Sequence, residues 1–122
     1  MIIGYPCKSV SSQNGSAASF KDTKSKTGAG FKALKDYVRY ARPRVVVAEN
    51  VATMCHKRSK FGGEIPIDVQ NKAFAAMGYA HYHELVSSRH FGLCQSRTRC
   101  WAVYILENEV GSHIEFLGNK TA

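Results

Sequence analysis

Arg44-Val45-Val46-Val47-Ala48-Glu49-Asn50-Val51 decides the fold. The run is rich in β-branched residues and too short for a helix, so it predicts a strand buried on both faces, the kind found in parallel sheets. Just upstream, Phe31, Leu34, Val38 and Ala41 recur at helical spacing with Tyr37 on the same side, and Pro43 stops the pattern. Arg39 and Arg42 fall in the last turn, where positive charge complements the helix dipole. At the start of the chain Ile2-Ile3 runs into Gly4-Tyr5-Pro6 and reads as the end of a strand that begins outside the chain. Strand, helix, strand is a crossover unit, and right-handed crossovers set parallel strands side by side or nearly so.

Between that first strand and the helix, residues 8–30 are rich in Ser, Gly and Lys without a sustained apolar period, which predicts a long loop of the kind used as a functional lid. Downstream of the central strand, Met54 to Pro66 forms a second basic, glycine-bearing loop. A helix is expected over Ile67 to Met77, with Asp68 near its start and Gly78 as its stop. Tyr79 to Val86 and Cys100 to Leu106 predict two further strands joined by Ser87 to Arg99, and the tail from Glu107 is weakly patterned. The expected architecture is α/β, a mostly parallel sheet flanked by helices, of the doubly wound type. No glycine-rich turn of the nucleotide-binding kind opens it, so either residues 1–122 are a fragment or the fold does without that half.

Composition narrows the function classes. The 122 residues are 44% hydrophobic, and 17 Lys and Arg face 9 Asp and Glu, for a net charge of +8. No run of about 18 apolar residues exists to span a membrane. The N-terminus lacks the basic head, apolar stretch and cleavage site of a secretory signal, so an intracellular, reducing setting is expected. Four cysteines, Cys7, Cys55, Cys94 and Cys100, are too few and scattered for a disulfide framework and are expected as free thiols. His81, His83, His90, Cys94 and Cys100 are of metal-ligating type, yet no Cys-x-x-Cys pair accompanies them, and no metal is expected.

Charge is unevenly placed. Residues 1–60 hold 12 Lys and Arg against 3 Asp and Glu, while the remainder holds 5 against 6. Such a field suits a polyanion, whose counterions are released on binding, and equally suits a solvated surface kept for solubility. An acidic membrane is the weaker option, because the basic residues do not line one helix face.

Ligands of open α/β sheets lie beyond the carboxyl ends of the strands. Cys7 follows the first strand and Glu49 lies near the end of the second, so one crossover can bring a thiol and a carboxylate to the same rim. Gln95, Arg97 and Arg99 alternate, and in an extended segment they share a face. Taken singly, each has a plainer reading: a buried small hydrophobe for Cys7, a loop-lysine partner for Glu49, an exposed edge strand for the arginines.

Together these residues resemble the C5-cytosine DNA methyltransferase family. Gly4-Tyr5-Pro6-Cys7 with Ser11 is similar to its Pro-Cys nucleophile motif, Glu49-Asn50-Val51 to its Glu-Asn-Val motif, and Gln95-Ser96-Arg97-Thr98-Arg99 to its Gln-x-Arg-x-Arg motif, in family order. Lys8 stands where many members have Gln, and Cys94 where Pro is frequent.

The resemblance implies a Rossmann-like methyltransferase fold and S-adenosylmethionine as co-substrate. It further implies double-stranded DNA as partner, with the target cytosine flipped out of the helix. Cys7 would add to carbon 6 of the base, Glu49 would bind ring nitrogen 3, and Arg97 and Arg99 would hold the pyrimidine carbonyl, a phosphate and the Glu49 carboxylate. Pro6 would border the co-substrate, and residues 1–122 would be a fragment of one catalytic domain, with most of the co-substrate site and the target-recognition region outside it. Lys8, Ser11, Asn50 and Gln95 would serve substrate or DNA, and the loop over residues 8–30 would close on DNA, which also resolves the charge question towards nucleic acid. The same residues are shared by a tRNA-methylating branch of the family, and a non-catalytic binding remnant or a complementing chain are the other readings.

Overall fold

The structure, a computed structural model, describes residues 1–5, 24–57 and 63–107. Four strands form one sheet in the order β1-β2-β4-β3, where β1 is Ile2–Gly4, β2 is Val45–Val51, β3 is Tyr79–Ser87 and β4 is Thr98–Leu106. Helix α1 (Lys26–Ala41) connects β1 to β2, and α2 (Pro66–Ala75) lies between β2 and β3. This is a mixed, Rossmann-like α/β sheet.

The expectation of a mostly parallel sheet needs correction at the level of pairing. β1 and β2 pair in parallel, whereas β2–β4 and β3–β4 are antiparallel. β1, β2 and β3 therefore share one direction, and β4 is inserted in reverse between β2 and β3. The cause is the connection length: the short segment between β3 and β4 cannot make a parallel crossover, which needs a dozen residues or more, so the chain turns back on itself.

Alternation along the strands separates two faces. Val46, Ala48, Ala102 and Tyr104 are buried together with Phe31, Leu34 and Val38 of α1 and Ile67 and Phe74 of α2 in one core. Across the register, Glu49 pairs with Trp101 and Val47 with Val103, and these side chains occupy the other face. β2 is thus not sealed on both sides: Val47, Glu49 and Val51 are only half-buried and Val45 is exposed, because both described helices pack on the opposite face.

Helix α1 starts earlier than its apolar period indicates. Ser25 caps it by accepting the Gly28 N–H at 3.0 Å, and Thr27 and Gly28 are buried, so the loop expected to reach Gly30 ends before Lys26. Tyr37 and Ala41, expected on the core side, are exposed; the buried stripe is Phe31, Leu34 and Val38. The helix stops as Pro43 requires: Arg42 takes a left-handed φ of 46°, and its guanidinium donates to the Met77 carbonyl at 2.6 Å.

A chain of buried polar side chains crosses the core. The Tyr5 hydroxyl donates to Gln70 Oε1, Gln70 Nε2 donates to the Tyr104 hydroxyl at 2.8 Å, and Tyr104 donates to Asn71 Oδ1 at 2.8 Å. Asn71 Nδ2 then lies 3.2 Å from His83 Nδ1. Burial pushes the Tyr104 phenol above its ordinary pKa, which keeps it protonated as a donor. The network fixes Tyr5, the last described residue before Pro6 and Cys7, against α2 and β4.

Candidate active site

β1 ends beside Glu49, two residues before β2 does. Gly4 is the register partner of Glu49, and both point to the open face. A Cβ at position 4 would sit 3.4 Å from Glu49 Oε2, an ordinary contact distance, which puts the end of β1 directly beside the carboxylate. On the other flank Arg99, two residues into β4, places its Nε 3.1 Å from Glu49 Oε1. Among the described residues Glu49 therefore pairs with an arginine of an interior strand, and both partners remain about three-tenths exposed, at 30% and 28%. The carboxylate is oriented yet reachable.

The pair opens into a cavity of about 510 Å³. Its apolar walls include Ile2, Val86, Phe91, Leu93 and Trp101, and its polar groups are Glu49, Arg97, Arg99 and Ser88. A second cavity of about 350 Å³ shares Gly4, Glu49, Arg97 and Arg99 and reaches Tyr5, Asn50 and Val51. One carboxylate paired with a guanidinium, with a second guanidinium lining the same cavity beside apolar side chains that include an indole, suits a flat heterocycle with both donor and acceptor edges.

Arg97 owes its place to a small staple. Ser88, in the 3₁₀ turn Ser88–Phe91 after β3, donates its hydroxyl to the Gln95 carbonyl and accepts the Arg97 N–H at 3.0 Å, and its own N–H donates to the Arg97 carbonyl at 3.1 Å. The turn is closed by Gly92 at φ 76°, where a residue with a Cβ would be strained. Gln95 is exposed, held through its backbone.

Asn50 lies on the opposite face from Glu49, as alternation dictates. It is 6% exposed, donates to the Tyr5 carbonyl at 3.5 Å and accepts the Val51 N–H at 2.8 Å. Its side chain ties the end of β2 to the segment entering Pro6; Asn50 lines the smaller cavity and not the larger one. Pro6, Cys7, Lys8 and Ser11 lie outside the described residues. Among the described residues no three His, Cys, Asp or Glu side chains gather as a metal site, and no helix is long and apolar enough to cross a membrane.

The sequence reading missed Ser88 and Trp101. The Trp101 position follows from the parity of β4, since it sits two residues beyond Arg99 on the same face; the Ser88 staple has no sequence signal.

A family model described as C-5 cytosine-specific DNA methylase matches residues 1–119. The chain belongs to this family. Among relatives of this C-5 cytosine methylase chain, the type II methyltransferase M.HaeII of Haemophilus aegyptius is 28% identical over 116 residues, covering 95% of the chain and 33% of the relative. Two solved structures share the fold. The Schizosaccharomyces pombe (S. pombe) Dnmt2 methyltransferase matches with a TM-score of 0.60 at 18% identity over 92% of this chain and 31% of its own. The Entamoeba histolytica methyltransferase EhMeth matches with a TM-score of 0.58 at 16% identity over 93% and 33%. The methylase chain thus spans about a third of the length of these relatives.

Proposed function

We propose that the protein to which this span belongs is a DNA cytosine-5 methyltransferase, with Cys7 as nucleophile and Glu49, Arg97 and Arg99 as the groups that hold and activate the base. The observation that carries this reading is the Glu49–Arg99 pair facing the cavity at the end of the strand that leads into Cys7. Three residues of chain reach at most about 11 Å, so the thiol is tethered within range of the space that Glu49 borders.

In this mechanism the Cys7 thiolate forms a bond to carbon 6 of a flipped cytosine, and the electron pair of the 5,6 double bond moves towards carbon 5. Glu49 relieves the charge that builds on the ring by giving a proton or hydrogen bond to nitrogen 3 and accepting one from the exocyclic amine. Arg99 keeps the carboxylate turned to the base, and the exposed Arg97 is free to take the pyrimidine carbonyl or an adjoining phosphate. On the methylated base the carbon 5 proton passes to water, its bonding pair re-forms the 5,6 double bond, and Cys7 leaves carbon 6 as a thiolate with the carbon–sulfur pair.

S-adenosylmethionine is the donor the family implies, and when bound it supplies the methyl group. The described polar groups match a pyrimidine edge better than a nucleoside donor: they include no glycine-rich strand-to-helix turn, and Pro6 is outside them. No step is therefore routed through the donor. Ser11, Lys8 and the lysines of the following segment are assigned to DNA phosphate, in keeping with the basic first half of the chain.

Tritiated methyl from labelled S-adenosylmethionine is expected on carbon 5 of duplex cytosine when the protein carries the full length of its relatives, and not when residues 1–122 act alone. Label found only in tRNA, or turnover by the 122-residue chain, contradicts this reading.

A further inference from the structure

Two thiols outside the proposed chemistry face each other. Cys55 ends the 3₁₀ turn Ala52–Cys55 that follows β2 directly, and Cys100 lies on β4 opposite Asn50 in register. Their sulfurs are 3.2 Å apart, in hydrogen-bonding contact, although 45 residues separate them in sequence. A disulfide needs about 2.05 Å, so the two atoms have only about 1 Å to close. Cys100 is 2% exposed, whereas Cys55 is only half-buried, so an incoming reagent meets Cys55 first.

We propose that Cys55 and Cys100 form a two-electron redox site, in which Cys55 attacks a low-molecular-weight disulfide and Cys100 resolves the product into an intramolecular disulfide. The Cys55 thiolate bonds to one sulfur of the reagent and expels the other as a thiolate. Cys100 then loses its proton, attacks the Cys55 sulfur and expels the second thiolate. Two protein thiols are oxidised and one reagent disulfide is reduced to two thiols. The division of roles has an electrostatic basis. The hydrogen-bonding contact with Cys100 holds the Cys55 thiol below its ordinary pKa, which favours the attacking thiolate. The hydrogen bond to Cys55, burial and the nearby Glu49 carboxylate raise that of Cys100, which keeps it protonated until the mixed disulfide has formed.

The bond would lock the turn after Glu49-Asn50-Val51 onto the strand that carries Arg99, behind the site and on the other face of the sheet. It does not depend on the proposed activity. Disulfides of this type in reducing compartments are transient and sensing, not structural.

The 122-residue protein treated with oxidised glutathione, alkylated and digested with trypsin is expected to yield a peptide pair joined through Cys55 and Cys100, two hydrogens lighter than the reduced pair and released by dithiothreitol. In Cys100→Ala the glutathione mixed disulfide at Cys55 should accumulate, because nothing resolves it. A mixed disulfide at Cys55 that persists equally in the unsubstituted protein, a Cys55 that stays fully alkylatable, or linkage of Cys55 to Cys7 or Cys94 would overturn the assignment.

Discussion

Glu49→Gln is expected to slow methyl transfer by about two to four orders of magnitude, the range over which a positioned proton donor or acceptor contributes. The substitution preserves volume and leaves an amide able to hydrogen-bond the base, but it cannot exchange a proton with nitrogen 3 and no longer pairs with Arg99 as a carboxylate. Loss should fall on kcat more than on KM, because the charge that Glu49 relieves develops only as the thiol adds. Stability should hardly change. The ion pair is partly exposed, and such pairs contribute about 1 kcal/mol or less. Steady-state kinetics beside a urea titration separates the two effects in a protein carrying the full length of its relatives. Activity within about tenfold of the unsubstituted enzyme would remove Glu49 from the chemistry.

Phe74→Ala is expected to be the most damaging change to the fold, costing about 3–5 kcal/mol. Phe74 is fully buried on α2, its ring stacked on Tyr104 at a centroid distance of 3.7 Å and set edge-on to Tyr79 at 5.6 Å. Its removal leaves a void between α2 and strands β3 and β4. It also unseats the Tyr104 hydroxyl, which serves Gln70 and Asn71, and through Gln70 loosens Tyr5. Small domains are stable by about 5–15 kcal/mol in all, so the variant should unfold at much lower urea concentration. A cost under about 1 kcal/mol would mean that the core is not organised around this ring.

The parts of this fold that could be read from the sequence are those with a local period. The valine-rich run at 45–51 and the stripe Phe31, Leu34, Val38 declare a strand and a helix, and the parity of β2 alone assigns Glu49 and Asn50 to opposite faces. The start of α1 was hidden because Gly28 and Gly30 disfavour a helix interior, and only burial of Thr27 and Gly28 and the Ser25 cap override that preference. Insertion of β4 between β2 and β3 was not legible, since alternation along a strand says which face is buried but not which strand lies beside it. For the same reason the arginines looked like an edge. Arg99 instead lies inside the sheet, in reach of Glu49. The Cys55–Cys100 contact, like the Ser88 staple, depends on tertiary proximity and leaves no trace in spacing.

The central claim is that Cys7 attacks the base held by Glu49. Duplex DNA carrying 5-fluorocytosine at the target position tests it most directly, because fluorine at carbon 5 cannot leave as a proton and the enzyme stays attached. With S-adenosylmethionine present, a protein with the full length of its relatives should give a denaturation-resistant DNA complex whose attachment point maps to Cys7, and Cys7→Ser should give none. Absence of any complex, or one that forms equally well with Cys7→Ser, would contradict the account.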